Sequence, residues 1–286
     1  REVKSDLVML SLSSSGQCGP DSHFAGYAPL FGAWGGLGWM SGYTDGPPVE
    51  MRHVMDHSAG YHAVVALMAA LHQRRRTGEG QYIDLAARDV ASAMIGDALL
   101  MASLGEDPVR PGNDDPRMAP HGVYATANTD RWLTIAVRND REWRALVGII
   151  GTPGAADDPR FASAGARRRN SCSLDQLITE WLQHLDAEAT AQQLQATGVC
   201  AHPSWNMQEI ADDPHLRQRG ALTEVHDPSY PGRLAVGTPA RFSRTRDVGI
   251  RRETPELGQD EDYVFGELLG IGARQRADLE QREVIM

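Results

Sequence analysis

Long apolar runs are missing from this sequence. No uninterrupted stretch is long enough to span a bilayer, and no signal peptide opens the chain. A cytoplasmic protein without a membrane partner is therefore the expectation. Cysteine is scarce: Cys18, Cys172 and Cys200 are scattered, odd in number and without CxxC spacing. That usage suits free thiols in a reducing compartment and argues against a disulfide framework or a cysteine zinc site. Positive charge is also short, with 28 Lys and Arg against 38 Asp and Glu and a net charge of −10. Neither nucleic acid nor an anionic membrane surface is an expected partner. An anionic small ligand remains open, because a local pocket can oppose the global sign. Signature motifs are missing too. The loop "SSSGQCGP" (13–20) lacks both the Gly-Lys-Ser/Thr ending of a P-loop and the GxGxxG fingerprint. There is no HExxH pair, no Gly-x-Ser-x-Gly elbow and no cysteine with an obvious base.

What is present suits an α/β protein. At 286 residues the chain is long for one core and fits two domains, or one large and one small. Apolar content of 41% and charged content of 23% are ordinary for a globular protein. The chain opens on Arg1 and not on Met, as a fragment would, or a chain whose true N-terminus is lost or left out. "SDLVMLSLSSS" (5–15) is an apolar run ending in small residues, the look of a buried parallel strand feeding a loop. The glycine-crowded stretch after it suits close backbone packing, tight turns or flexibility, and composition does not choose among them. From Gly60 the pattern is helical. Val64, Val65, Leu67, Met68 and Leu71 cover more than one face, which predicts a buried helix. Arg74, Arg75 and Arg76 oppose its negative end, and Gly78 is a natural C-terminal cap. "QYIDLAA" (81–87) reads as a strand and 88–105 as another apolar helix, the order of a parallel sheet. The proline-rich segment 106–120 reads as a linker into a second domain. There "GVYATA", "NTDR" and "WLTIAV" predict a hairpin. Helices are expected near 140–150, 173–185, 186–197 and 206–220. Two β-like stretches, "ALTEVHD" and "GRLAVGTPARFS", and an amphipathic helical tail complete the chain.

One carboxylate stands out. Asp56, in "PPVEMRHVMDHSAG", sits between an extended-looking segment and the long apolar helix. Aspartate is a favoured N-cap, and on spacing alone that plain role is the commoner one. The same position suits a nucleophile. First-turn N–H groups and the positive end of the helix dipole favour an anionic carboxylate, and they can donate to an oxyanion forming on an attacked carbonyl. The two readings differ only in whether the side chain is spent on its own helix or points into a pocket. His53, His57, His62 and His72 cluster nearby without metal-ligand spacing, so no metal site is expected. His57, beside Asp56, is the one that merits mutation. Arg74 to Arg76 fit a solvated helix end better than a phosphate grip. The loop at 13–20 could bring backbone amides near a phosphate or adenosine; alone it reads as a tight turn.

Nine segments then occur in a telling order: "DLVMLSLSSSGQCGP", "AGYAPLFGAWGGLGWMSG", "GPPVEMRHVMDHSAG", "MAALHQRRRTGEGQYIDLA", "GN…APHGVYATANTDRWLTIAV", "DDPRF", "LQATGVCAHP", "DDPHLRQRG" and "PELGQDEDYVFGELLG". Together they span nearly all of the chain, and the ordered set resembles the class III CoA-transferase family. This is the CaiB/BaiF group, which includes formyl-CoA, carnitine and benzylsuccinate CoA-transferases and also α-methylacyl-CoA racemases. The resemblance implies a large parallel-sheet (Rossmann-like) α/β domain, here lacking its N-terminal half, plus a smaller α+β domain, in chains that form interlocked dimers. It places 1–105 in the large CoA-binding domain, 106–120 in a linker, 121–215 in the small domain and 216–286 in a return to the large one. It implies that Asp56 is the catalytic nucleophile. The implied reaction moves CoA from an acyl-CoA donor to a free carboxylic acid, through an aspartyl anhydride and an aspartyl–CoA thioester. CoA thioesters and small carboxylic acids are then substrates, and no permanently bound cofactor is expected. Ser13, Ser14, Gly16, Gln17, Tyr27, His57, Asn113 and His121 are expected to line the substrate and CoA site.

Racemases of the group pair the same aspartate with a histidine, where Tyr27 stands here. A phenol is a poor proton-exchange partner near neutral pH, so transfer is favoured over an acyl-CoA racemase or epimerase, in which His57 would have to substitute. Two departures qualify the resemblance. The family's further nucleotide-fold half is absent before Arg1, and "RMAPHGVY" stands where the formyl-CoA enzyme has a glycine-rich gating loop, so acyl handling must differ. A homodimer, or a heteromer with a related companion chain on which activity depends, are both expected forms.

Overall fold

The computed structural model describes residues 4–225, 230–245, 249–250 and 255–285. They form two compact units, Arg1–Ser204 and Trp205–Met286.

In the first unit, β1 (Met9–Ser13) runs parallel to β2 (Tyr82–Ala86), with Met9 opposite Tyr82 and Ser13 opposite Ala86. Parallel neighbours need a crossover. Here it carries α1 (Ala28–Trp34) and α2 (Met55–Thr77), and α3 (Ala87–Met94) and α4 (Gly96–Ser103) follow β2. The single helix expected over 88–105 is therefore two. The backbone leaves helical geometry at Ile95 (φ −118°, ψ 31°), just before Gly96, a residue of low helix propensity.

Helix α2 starts at Met55 and not Gly60, and it is not buried all round. Its buried residues, Met55, Ala59, Ala63 and Ala70, make one stripe at helical spacing. Of the large apolar residues that predict burial, Val64, Val65 and Met68 are exposed, Val65 at 70%, and Leu67 and Leu71 are half-buried; Tyr61 on the same helix is exposed as well. Small residues serve close approach to this chain's own core, and the bulky ones are left outside it. The C-terminus is as expected, with Gly78 in the left-handed region (φ 75°) and its N–H donating to the Arg74 carbonyl at 2.8 Å.

The glycine-rich crossover resolves into close packing. A Cβ on Gly35 would collide with the Ala91 methyl and lie 2.6 Å from the Arg88 carbonyl oxygen, so α1 beds directly on α3. Leu37, Met55, Val90 and Ala91 form the core at this junction.

A second, larger core belongs to the same unit. Strands β3 (His121–Ala125), β4 (Trp132–Ala136) and β5 (Cys200–Pro203) form an antiparallel sheet in that order. Helices α5 (Asp140–Ile150), α6 (Ala164–Arg169), α7 (Ser171–Leu182) and α8 (Ala187–Ala196) accompany it. Leu133 and Ile135, alternate residues of β4, are fully buried with Leu146, Leu174, Ile178, Leu182 and Leu194. The hairpin and the helices at 140–150 and 186–197 match the sequence reading. Strand β5 has too few residues to announce itself by alternation.

In the second unit, α9 (Met207–Asp212) and α10 (Pro214–Arg219) replace one expected helix. Pro214 brings no N–H, and Asp213 turns to cap α10, accepting from the His215 and Leu216 amides at 3.1 Å each. The two β-like stretches pair as β6 (Leu222–Glu224) and β7 (Leu234–Val236), antiparallel, while 226–229 lie outside the described residues. A π-helical segment (Asp262–Leu268) and α11 (Ala273–Gln281) form the helical tail. Among the described residues no helix is long and apolar enough to cross a membrane.

Candidate active site

Because α2 begins at Met55, Asp56 is its second residue and the cap position falls to Val54, whose side chain makes no capping bond. The Asp56 side chain is exposed and, among the described residues, neither accepts a hydrogen bond nor joins an ion pair. The capping role is thus not the one it plays. Met55, 1% exposed, pins this first turn into the core with Leu37, Val90 and Ala91. A free carboxylate therefore stands on a rigid mount at the positive end of a 23-residue helix.

His57 follows on the same turn. Its Nδ1 lies 2.6 Å from the His53 carbonyl oxygen; a carbonyl only accepts, so Nδ1 carries a proton and Nε2 faces away from this bond. His53 holds φ 63°, a left-handed conformation unusual for a non-glycine residue.

Six residues before Asp56 lies Glu50, a carboxylate that pattern reading passed over. Its oxygens occupy the space that side chains at Gly32 and Gly38 would fill; a Cβ on Gly32 would sit 2.9 Å from Oε2 and 3.9 Å from Met55 Cγ. Glu50 is half-buried and, among the described residues, has no hydrogen-bond or ionic partner. Burial pushes its carboxyl above the ordinary range. Nothing in the local sequence signals this, because the two glycines that admit Glu50 come from α1 and the loop after it.

The loop after β1 is a knot of short bonds. Ser13 Oγ accepts from the Gly16 amide at 3.0 Å, and Ser14 Oγ donates to the Phe24 carbonyl at 2.8 Å. Gly16 has φ 83°, which a side chain would strain. The Gln17 amide donates to both oxygens of Asp84, on β2, at 3.1 and 2.9 Å. Asp84 thereby takes up an amide that the sequence reading offered to a phosphate. The Arg88 amide donates to the Ser14 carbonyl, tying the loop to the start of α3.

Tyr27 precedes α1 as its N-terminal flanking residue and is 79% exposed. Asn113 and His121 come together: His121 Nδ1 meets the Asn113 carbonyl oxygen at 2.5 Å, and Asn113 Nδ2 donates to the Tyr43 hydroxyl at 2.8 Å. The nine expected site residues thus form three bonded or adjacent groups plus Tyr27. They are the loop 13–17, the pair Asp56–His57 and the pair Asn113–His121, and no hydrogen bond among the described residues joins one group to another.

Comparison with known proteins places this geometry. The model of CoA-transferase family III matches residues 1–261. The succinyl-CoA–D-citramalate CoA-transferase of Chloroflexus aurantiacus is 32% identical over 284 residues, 98% of this chain and 69% of that protein. The succinate–glutarate CoA-transferase of Agrobacterium fabrum is 32% identical over 270 residues, 94% of this chain and 67% of that one. A crystal structure of a CaiB/BaiF family protein from Brucella suis superposes with a TM-score of 0.81 at 29% identity, covering 93% of this chain and 69% of the other. The chain therefore spans about two thirds of the length of these relatives. With the match running through every element that carries Asp56 and the loop beside β1, the chain belongs to CoA-transferase family III and is an enzyme that transfers coenzyme A.

Proposed function

We propose that Asp56 is the nucleophile of a CoA transfer between an acyl-CoA donor and a free carboxylic acid. One observation carries this reading: the side chain at the second position of α2 is exposed and uncommitted, where capping would have spent it. An Asp56 oxygen attacks the donor thioester carbonyl, the C–S bond breaks, and CoA leaves as a thiolate. The first-turn amides of α2 offer donors to the tetrahedral oxyanion. The thiolate attacks the aspartyl carbonyl of the mixed anhydride, releasing the donor acid as a carboxylate and leaving an Asp56–CoA thioester. An acceptor carboxylate attacks that thioester and expels the thiolate, which takes the acceptor acyl group from the second anhydride. Asp56 returns as a carboxylate. Each intermediate retains the activation of the original thioester provided water is kept out.

The names of the relatives point to short dicarboxylic acids, a succinyl donor among them, as the substrate class to try first. Ser13, Ser14, Gly16, Gln17, Tyr27, His57, Asn113 and His121 are the residues we assign to the substrate and CoA site. Residues 1–105 with 216–286 form the larger, CoA-binding domain on this reading, 106–120 the linker and 121–215 the smaller domain. On this reading the chain assembles as an interlocked dimer, with a second copy or with a related companion. The exposed apolar residues Met9, Leu12 and Tyr82 on the two-stranded sheet support that assembly.

The test is intact mass after incubation with succinyl-CoA at low acceptor concentration. A CoA-sized adduct that maps to Asp56 and is lost in Asp56→Ala is the expected result. Solvent deuterium entering the α-carbon without any acceptor acid would instead mark a racemase.

A further inference from the structure

Away from Asp56, the first unit holds a cavity of about 490 Å³ between the 106–120 segment and the junction of α6 with α7. That volume is in the range of small-molecule sites. Its charged lining is unbalanced in what is already spoken for. Arg110 gives Nε to the Tyr43 carbonyl at 3.1 Å and Nη2 to the Gly46 carbonyl at 2.9 Å, and its guanidinium lies 4.7 Å from the Trp39 ring centre. Among the described residues it meets no carboxylate. Arg168 and Arg169 also line the cavity; both are exposed, and among the described residues their side chains make neither a hydrogen bond nor an ion pair. Their neighbour Arg167 shows the contrast. It is fully buried, donates to the Ala119 and Phe161 carbonyls at 2.8 and 3.1 Å, and lies 3.0 Å from Asp140.

The same cavity is lined by three carboxyl groups, Asp114, Asp115 and Asp175. Asp115 accepts the Arg117 and Met118 amides at 2.7 and 3.0 Å. Asp175 accepts the Tyr124 hydroxyl at 2.7 Å, and burial shifts it toward its neutral form. The hydrogen bond from the Arg117 amide holds the Asp115 carboxyl below its ordinary range, so Asp115 and Asp114 face the three guanidinium groups while Asp175 tends to its neutral form. Planar guanidinium forks match the geometry of carboxylate and phosphate oxygens.

We infer that this cavity binds the oxyanion of a small molecule, a carboxylate or a phosphate, through Arg168 and Arg169, with Arg110 adding positive charge. His121, assigned above to the substrate and CoA site, also lines this cavity, so the inference deepens that reading and rests on it; its readout is binding and not transfer by Asp56.

Calorimetric titration of the full chain at low ionic strength tests it, with succinate and with inorganic phosphate as separate probes. One of the two is expected to bind. Its affinity should fall by about tenfold or more in the Arg168→Ala/Arg169→Ala double variant. The anion that binds assigns the site to an organic acid or to a phosphate-bearing ligand. A melting curve checks that the double variant is folded; if it is not, the single Arg168→Gln and Arg169→Gln chains carry the same criterion. Equal affinity in the unchanged and substituted chains, or no heat from either anion at millimolar concentration, overturns the inference.

Discussion

At the scale of single residues, two carboxylates near the start of α2 have different environments and different predicted behaviour. Asp56 is exposed and, among the described residues, unpaired, and replacing a nucleophile by alanine removes the covalent route altogether. Asp56→Ala is expected to lower the transfer rate by about 10³-fold or more with little change in melting temperature, because no hydrogen bond or ion pair of the side chain among the described residues is lost. A variant that retains most of its transfer rate would remove Asp56 from the chemistry. Glu50 is the opposite case. Burial raises its folded value above the unfolded one, so the native chain holds a proton that the unfolded chain gives up. Stability from this group is complete below the unfolded value and declines as pH rises toward the folded value. In Glu50→Gln the group no longer titrates. The melting temperature of that variant, relative to the unchanged chain, should therefore climb as the pH is raised from about 4. A difference that stays flat with pH would show that Glu50 is not desolvated.

At the scale of elements, helix starts and close crossings carry the specificity. Asn139 caps α5 by accepting the Glu142 amide at 3.0 Å, and Glu142, 2% exposed, takes the Arg138 amide at 2.8 Å and the Arg138 guanidinium at 2.7 Å. Burial pushes the Glu142 carboxyl up, but the bonds from Arg138 and Asn139 outweigh it and hold the group below its ordinary range. Its contribution is present above the unfolded value and lost as pH falls through the folded one. Glu142→Gln is expected to cost about 1–3 kcal/mol at neutral pH, and denaturant titration should show the gap closing in acid. Helix α1 depends on a different device. Gly35 touches α3 backbone, so Gly35→Ala must separate two packed helices at about 1–3 kcal/mol. An unchanged midpoint in urea would mean the crossing is softer than it looks.

At the scale of the whole molecule, the exposed apolar side of α2 is the feature most in need of a partner. Tyr61, Val64, Val65 and Met68 are all exposed on this one helix, and a patch of that kind is ordinarily covered in an assembled protein. On the proposed assembly, Val65→Lys with Met68→Lys should shift the chain toward monomer in sedimentation or light scattering. The melting temperature should be nearly unchanged, since neither residue belongs to the chain's own core. An assembly state indifferent to both charges would place the interface elsewhere.

Local chemistry was enough to place β1 and β2 as strands, the cap at Gly78, the hairpin of β3 and β4, and Asp56 as the carboxylate to examine; the burial expected of β1 is not found, since Met9 and Leu12 are exposed. Each of these depends on propensity, period or a few neighbours in the chain. Ordered motifs were likewise enough for the family, because a family is a property of sequence order. Tertiary structure alone decided the rest. It moved the start of α2 back to Met55 and so freed Asp56 from capping. It spent the Gln17 amide on Asp84, and it seated Glu50 on Gly32 and Gly38. It also gathered Arg110, Arg168 and Arg169 around one cavity. These facts join residues that lie up to 67 positions apart, and no periodicity reports which distant surfaces will meet, because that is settled by packing the whole chain at once.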